Sequence, residues 1–217
     1  MTHGDGKPLI IYGAGGFGRE VAWLASEARE PRHVAAFASD DAPPGGTTLA
    51  GLPLLSLDEA ARANPGADFI VAVGSASARV EMSHRAEKAG LVATRLIHRR
   101  VEMSDRVLVG KGTVICAGCI LTVDIRLGEH VQINLDCTIG HDAVLEDCVT
   151  LAPGVHVSGW VRLESGAYVG TGASIINGTS ASPLVIGAHA TIGAGAVVTK
   201  AIAPRVTAVG IPARARA

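Results

Sequence analysis

Residues 133–157 read INLDCTIGHDAVLEDCVTLAPGVHV, and every sixth residue of this stretch is aliphatic. These anchors are Ile133, Ile139, Leu145, Leu151 and Val157. A period of six matches neither the 3.6-residue period of an α-helix nor the two-residue period of an ordinary strand. It is typical of a solenoid in which each hexapeptide makes one short strand and one corner, so that three hexapeptides (18 residues) close a coil.

The same period extends through most of the second half of the chain. Aliphatic anchors recur in steps of six from Ile97 to Ile175, and the position four residues after each anchor is small or β-branched, as an interior corner requires. After Ile175 five extra residues precede the next anchor, Ile186, and we expect them to form a surface loop. The pattern predicts a left-handed parallel β-helix of hexapeptide repeats, with a C-terminal cap, over residues 97–217.

Residues 1–96 predict a small Rossmann-like α/β domain instead. We expect strands at 8–12, 33–41, 68–74 and near 93–97, and helices at 19–28, 56–63 and 76–90. The stretch 42–55 is expected to be a turn-rich connection. This alternation of strands and helices predicts a doubly wound parallel sheet.

A glycine motif follows the first expected strand. Gly13, Gly15 and Gly18 satisfy G-x-G-x-x-G between a strand and a helix, a context that offers backbone N–H groups to phosphate. Asp40 ends the second strand at a spacing suited to a ribose contact. About 90 residues make only half of a dinucleotide fold, and no hydride-transfer domain follows, so a nucleotide diphosphate carrying a sugar is favoured over NAD. A glycine turn that only packs helix on strand remains the alternative.

Composition excludes several classes of function. The formal net charge of −1 favours neither a nucleic acid nor an anionic membrane partner, and no signal peptide or membrane span is expected. Cys116 and Cys119 form a C-x-x-C without a second ligand pair, and Cys119 and Cys137 fall at inward corners. We therefore expect buried thiols, no metal site and a cytoplasmic location.

His141 is the candidate catalyst because Asp142 follows it directly in a corner. A neighbouring carboxylate fixes an imidazole's orientation and increases its basicity, which suits a general base near neutral pH. One coil further on lies Gly159, which is expected beside His141 with an accessible N–H as an oxyanion donor. Asn134 is expected on the preceding strand edge, where it can hold an acceptor group. The alternative is that His141 is one more exposed corner residue.

Three motifs in order, IYGAGGFGREV, IGHD and VGIPAR, make the whole chain resemble one branch of the hexapeptide acyltransferases. That branch comprises the sugar O- and N-acetyltransferases related to sialic acid O-acetyltransferase and to the UDP-4-amino-sugar N-acetyltransferases. Within it, the chain most resembles the GDP-perosamine N-acetyltransferases. The resemblance implies a homotrimer that uses acetyl-CoA and a nucleotide sugar, with direct transfer to the amine of a 4-amino-4,6-dideoxy sugar. Transfer to a sugar hydroxyl, or a non-catalytic scaffold that binds a nucleotide sugar, are the other interpretations.

The resemblance also implies roles for individual residues. His141 would be the base, Asp142 its support, and Gly159 the donor to the thioester oxygen. A second family histidine, which contacts coenzyme A, falls at Thr150 here. Two sets of contacts complete the expectation. We expect Gly13, Ala14, Gly15, Gly16, Asp40 and Gly74 to face the nucleotide sugar, and Thr150, Gly172, Gly178 and Lys200 to face acetyl-CoA.

Overall fold

The computed structural model describes residues 7–216, and the chain divides into two compact units, Met1–Arg99 and Arg100–Ala217. Within the described residues the first unit contains all three helices, and the second unit contains only strands and turns. An α/β domain followed by a β-helix, the fold class that the sequence predicts, is thereby confirmed.

The first unit is built on one six-stranded sheet. Its strands run in the order β3-β4-β2-β1-β5-β6, and all neighbours are parallel except β3 and β4. The strand β1 is buried along its whole length between β2 and β5, which explains its continuous apolar run. The elements of this unit are β1 (Leu9–Tyr12), α1 (Gly16–Ser26), β2 (Val34–Ala38), β3 (Thr47–Leu49), β4 (Leu52–Leu55), α2 (Leu57–Ala63), β5 (Asp68–Val71), α3 (Ala76–Lys88), β6 (Val92–Ala93) and β7 (Leu96–Ile97).

The antiparallel pair β3–β4 corrects the prediction of a purely parallel sheet and of a turn-rich connection at 42–55. Leu49 pairs with Leu52 across a two-residue turn made by Ala50 and Gly51. Both turn residues have positive φ, 50° and 79°, as a type I′ hairpin turn requires. Alanine is an unusual residue at such a position, so the sequence lacks the Asn-Gly or Asp-Gly signal that would have indicated the hairpin.

The second unit stacks short strands, most of them two residues long, into three sheets. Before the inserted loop, paired strand residues lie one coil, or 18 positions, apart along the chain. Thr138 lies opposite His156, and Val144 lies opposite Arg162. Its strands are β8 (Glu102–Met103), β9 (Leu108–Val109), β10 (Val114–Ile115), β11 (Ile120–Leu121), β12 (Arg126–Leu127), β13 (Gln132–Ile133), β14 (Thr138–Ile139), β15 (Val144–Leu145), β16 (Thr150–Leu151), β17 (His156–Val157), β18 (Val161–Leu163), β19 (Tyr168–Val169), β20 (Ser174–Ile175), β21 (Leu184–Ile186), β22 (Thr191–Ile192), β23 (Val197–Val198), β24 (Thr207–Val209) and β25 (Arg214–Ala215).

The hexapeptide register is confirmed by burial. Every anchor from Ile115 to Ile175 is buried, and so is every small or β-branched corner residue from Val101 to Ala173. The register shift is confirmed as well, because Leu163 pairs with Ile186 on the far side of an exposed loop. The core of this unit therefore consists almost entirely of aliphatic anchors and small or β-branched corner residues, stacked at the parallel-strand spacing of ~4.8 Å.

Candidate active site

His141 and Asp142 form a hydrogen-bonded pair in the turn after β14. The His141 Nδ1 lies 2.8 Å from a carboxylate oxygen of Asp142, and an ionised carboxylate only accepts, so Nδ1 donates. The two side chains are 55% and 31% exposed, which leaves the imidazole accessible. Because Nδ1 is engaged, Nε2 is the nitrogen that can take a proton from a substrate.

Gly159 lies beside His141 on the next coil, as the 18-residue spacing predicts. A Cβ atom at Gly159 would be 2.6 Å from the Nε2 of His141, so any side chain there would displace the ring. Within residues 7–216 the Gly159 N–H donates no hydrogen bond. This N–H is therefore available as a hydrogen-bond donor.

Trp160 is a site residue that the sequence reasoning missed. Its ring stands nearly perpendicular to the His141 imidazole, at 82° and 6.3 Å between centroids, and its backbone N–H donates to the His141 carbonyl. The available signal was its place in the repeat. Trp160 is the residue one coil after Asp142, so it lies at the same corner as Asp142.

Asn134 lies after β13, in a different sheet from β14. Its side-chain Nδ2 donates to the Leu151 main-chain carbonyl at 2.8 Å. The main-chain carbonyl of Asn134 accepts a hydrogen bond from the Cys119 thiol. This amide therefore ties successive coils together, and no hydrogen bond of the described residues joins it to His141.

The residues expected to face acetyl-CoA are scattered along the β-helix. Thr150 is only 5% exposed, whereas Gly172 is exposed and its missing side chain would point into open space. Gly178 donates its N–H to the Gly159 carbonyl at 3.0 Å, so it packs directly behind the candidate oxyanion donor. Lys200 is exposed near the end of the repeat.

In the first unit, the glycine motif ends β1 and begins α1. Gly13 has a φ of 129°, and a Cβ there would meet the Ala72 carbonyl oxygen at 2.6 Å. Gly15 and Gly16 have open space in front of them, and no side chain caps the N-terminus of α1. Its first N–H groups are thus available to an anion.

The neighbouring positions complete this edge of the sheet. Ala14 is half-buried, and Gly74 is exposed in the turn after β5. The strands β1, β2 and β5 are parallel neighbours, so the segments that carry Gly13, Asp40 and Gly74 leave the sheet at the same edge. The crevice outside the carboxyl ends of parallel strands is where open α/β sheets bind ligands.

Asp40 is already engaged in this structure. It accepts two hydrogen bonds from Arg85, each 2.8 Å, and one from the buried hydroxyl of Tyr12 at 2.6 Å. The Arg85 contact keeps the pKa of Asp40 below its usual value, while burial and the bond to Asp40 raise the pKa of Tyr12. A ribose contact by Asp40 would have to share or exchange these partners.

The four cysteines lie in the interior of the second unit. All four are buried and none forms a disulfide within the described residues, and the bond to Cys137 together with burial raises the pKa of Cys119. Among residues 7–216 no cluster of three or more metal-ligating side chains is present, and each helix is too short or too polar to span a bilayer.

A β-helix of hexapeptide repeats with a histidine–carboxylate pair at one corner defines the class as a hexapeptide-repeat acyltransferase, and known proteins narrow it further. Residues 8–86 match the family model described as the PglD N-terminal domain. A curated relative, GDP-perosamine N-acetyltransferase of Escherichia coli O157:H7, is 31% identical over 183 residues, which cover 82% of each chain.

Two solved structures share the whole architecture. WeeI from Acinetobacter baumannii AYE is 36% identical with a TM-score of 0.86, over 96% of this chain and 99% of that one. A histidine-to-asparagine mutant of perosamine N-acetyltransferase from Caulobacter crescentus, in complex with CoA and GDP-perosamine, is 26% identical with a TM-score of 0.88 over 97% of both chains. The protein belongs to the PglD-type family of nucleotide-sugar N-acetyltransferases and is an acetyltransferase.

Proposed function

We propose that the protein transfers the acetyl group of acetyl-CoA to the amino group of a nucleotide-linked 4-amino-4,6-dideoxyhexose, GDP-perosamine or a close analogue. The observation that carries the proposal is the corner at which Nε2 of His141 is free and Gly159, whose N–H is unpaired in the described residues, lies beside the ring. The substrate choice is supported by the name of the Escherichia coli relative and by the ligands of the Caulobacter crescentus relative.

The proposed step is direct transfer. The amine attacks the thioester carbonyl carbon while Nε2 of His141 takes the amine proton, and Asp142 stabilises the resulting imidazolium. The Gly159 N–H stabilises the oxyanion of the tetrahedral intermediate. The C–S bond then breaks, and the leaving thiolate takes the proton from Nε2 of His141 and departs as CoA. No cysteine is needed as a nucleophile, and the buried thiols agree with that.

The remaining roles are proposed from the resemblance to the family and from the contacts described above. We propose that Gly13, Ala14, Gly15, Gly16, Asp40 and Gly74 serve the nucleotide sugar, with the free N–H groups of α1 facing phosphate. Gly172, Lys200 and the small exposed surface of Thr150 are proposed contacts of acetyl-CoA. Gly178 is proposed to support Gly159 through its hydrogen bond to the Gly159 carbonyl. Asn134 is proposed as a brace of the coil rather than an acceptor contact. The working form is proposed to be a cytoplasmic homotrimer.

His141→Asn tests the proposal. Removing the base should lower kcat by a factor of ~10²–10⁴ while the KM values and the circular dichroism spectrum stay close to wild type. His156→Asn is the matched control, because His156 is an exposed histidine one coil beyond Thr138, to whose hydroxyl it is hydrogen-bonded. Wild-type turnover of His141→Asn, measured as CoA release, would overturn the assignment.

A further inference from the structure

In most turns of the β-helix the second residue has a left-handed backbone. Glycine and aspartate dominate these positions, since they tolerate positive φ best. Trp160, with a φ of 57°, is the bulkiest side chain among them. The full set is Gly112, Gly118, Asp124, His130, Asp136, Asp142, Cys148, Gly154, Trp160, Gly166, Gly172, His189, Gly195 and Arg205.

A large aromatic residue in this conformation is strained, and such strain persists where function requires the side chain. The indole is half-buried, stands edge-on to His141, and its ring N–H has no hydrogen-bond partner in the described residues. We therefore infer that Trp160 has a function beside His141 and Asp142.

Trp160 and Asp142 line a groove of about 620 Å³, within the size range of small-molecule sites. The groove runs along the corner toward earlier coils, past Val144 and Arg126. We call it the Trp160 groove, and it is lined chiefly by Arg106, Asp124, Arg126, Asp142, Val144 and Trp160.

The charges of the groove differ along its length. Arg106 is paired with Asp124 through contacts of 2.6 and 2.7 Å, so these two charges compensate each other. The guanidinium of Arg126 is exposed and has no side-chain partner within residues 7–216. Since Arg126 pairs with Val144 on the next coil, a free cation lies about 5 Å along the axis from the coil that carries Asp142.

We propose that the Trp160 groove is the subsite for the acceptor sugar, with the indole against the apolar C–H face of the hexose and Arg126 facing its phosphate. The inference rests on the proposed function and adds the residues that select the acceptor. A sugar phosphate is one ring away from the reacting amine, which suits a cation one coil away. The phosphates of acetyl-CoA are separated from the thioester by the whole pantetheine arm, so the spacing favours the acceptor over the donor.

Trp160→Asn tests the stacking contact without an unfavourable backbone, because asparagine tolerates positive φ. We expect the KM for GDP-perosamine to rise about 10-fold or more, with the KM for acetyl-CoA unchanged and the melting temperature not lowered. His189→Asn is the matched control, since His189 is an exposed ring with the same φ of 57° at another corner. An unchanged KM for GDP-perosamine, or a rise confined to acetyl-CoA, would overturn the proposal.

Arg126→Gln tests the phosphate contact. The KM for GDP-perosamine should rise, and the difference from wild type should shrink at high salt because exposed charges are screened. An effect on acetyl-CoA alone would contradict the assignment.

Direct binding separates this inference from the proposed function. Trp23→Phe leaves Trp160 as the only tryptophan, and Trp23 is 52% exposed in the first unit. GDP-perosamine should change the emission of Trp160 saturably, whereas GDP and CoA should not. An emission change with CoA alone, or none with GDP-perosamine, counts against the subsite. Absence of acetyl transfer by the wild type would instead count against the function.

Discussion

At the scale of single residues, the absence of a side chain at Gly159 matters as much as the presence of one at His141. The imidazole occupies the space that a Cβ of Gly159 would need, at 2.6 Å from Nε2. The turn places both residues at the same position of successive coils, so a side chain and a bare backbone amide meet at the corner. The glycine thus serves the ring's placement and leaves the N–H accessible.

Gly159→Ala should lower kcat by about 10²-fold, because the added methyl displaces the imidazole and a misplacement of about 1 Å costs that much. Steady-state kinetics with acetyl-CoA and the amino sugar measure the effect. In the His141→Asn background the same substitution should cause little further loss, since both changes act on one group. Losses that multiply in the double variant would show that Gly159 acts independently of His141.

Which residues the sequence could predict depends on which physical rule places them. The 18-residue coil places Gly159 beside His141 from spacing alone. Trp160 was missed because the hexapeptide pattern describes the inward-facing anchors and corner residues. The pattern does not show that Trp160 lies in a turn with a left-handed φ. Asn134 was expected near the acceptor, but sequence distance along the coil does not show that its amide already donates to Leu151.

At the scale of elements, the buried strands could be predicted from the sequence, and the exposed ones could not. The strand β1 and the β-helix anchors are buried, so their apolar periodicity is strong. In the hairpin β3–β4 the edge strand β3 is largely exposed, β4 is mostly half-buried, and the turn passes through Ala50, so neither periodicity nor turn chemistry indicated it. Asp40 was expected from its place after β2, but its pairing with Arg85 on α3 depends on tertiary structure.

The Asp40–Arg85 contact predicts a pH dependence of stability. The pKa of Asp40 is lowered in the folded state, mainly by the hydrogen bonds from Arg85, so the carboxylate stabilises the fold above its unfolded pKa of about 4. That contribution is lost as the pH falls through the lower, folded pKa. Both side chains are about half exposed, so we expect only about 0.5–1 kcal/mol.

Asp40→Asn should therefore lower the free energy of unfolding at pH 7 by that amount, and the difference from wild type should be smaller at about pH 3. Tyr12 keeps an acceptor in the asparagine oxygen, which isolates the ionic contact. Urea unfolding at the two pH values measures it. Asp41→Asn is the control, because Asp41 is exposed and forms no ion pair in the described residues. A pH-independent difference for Asp40→Asn would refute the linkage.

At the scale of the whole molecule, the second unit exposes apolar residues that its own fold does not cover. Ile120 and Ile211 are 42% and 76% exposed, and Ile120 points outward from β11 next to Thr138 of β14. Exposed apolar surface on a β-helix face is the kind of surface that closed rings of identical subunits bury. The proposed homotrimer would cover this surface.

Sedimentation equilibrium should give a mass of three chains of 22.1 kDa each, independent of protein concentration in the micromolar range. Ile120→Asp should shift the mass toward one chain, because a buried unpaired carboxylate disfavours the interface. Val92→Asp is the matched control, since Val92 is 47% exposed on β6 of the first unit and the change should leave the mass intact. If acetyl transfer needs the trimer, Ile120→Asp should lose activity in proportion to the fraction of single chains. A wild-type mass of one chain, with full activity, would rule the trimer out.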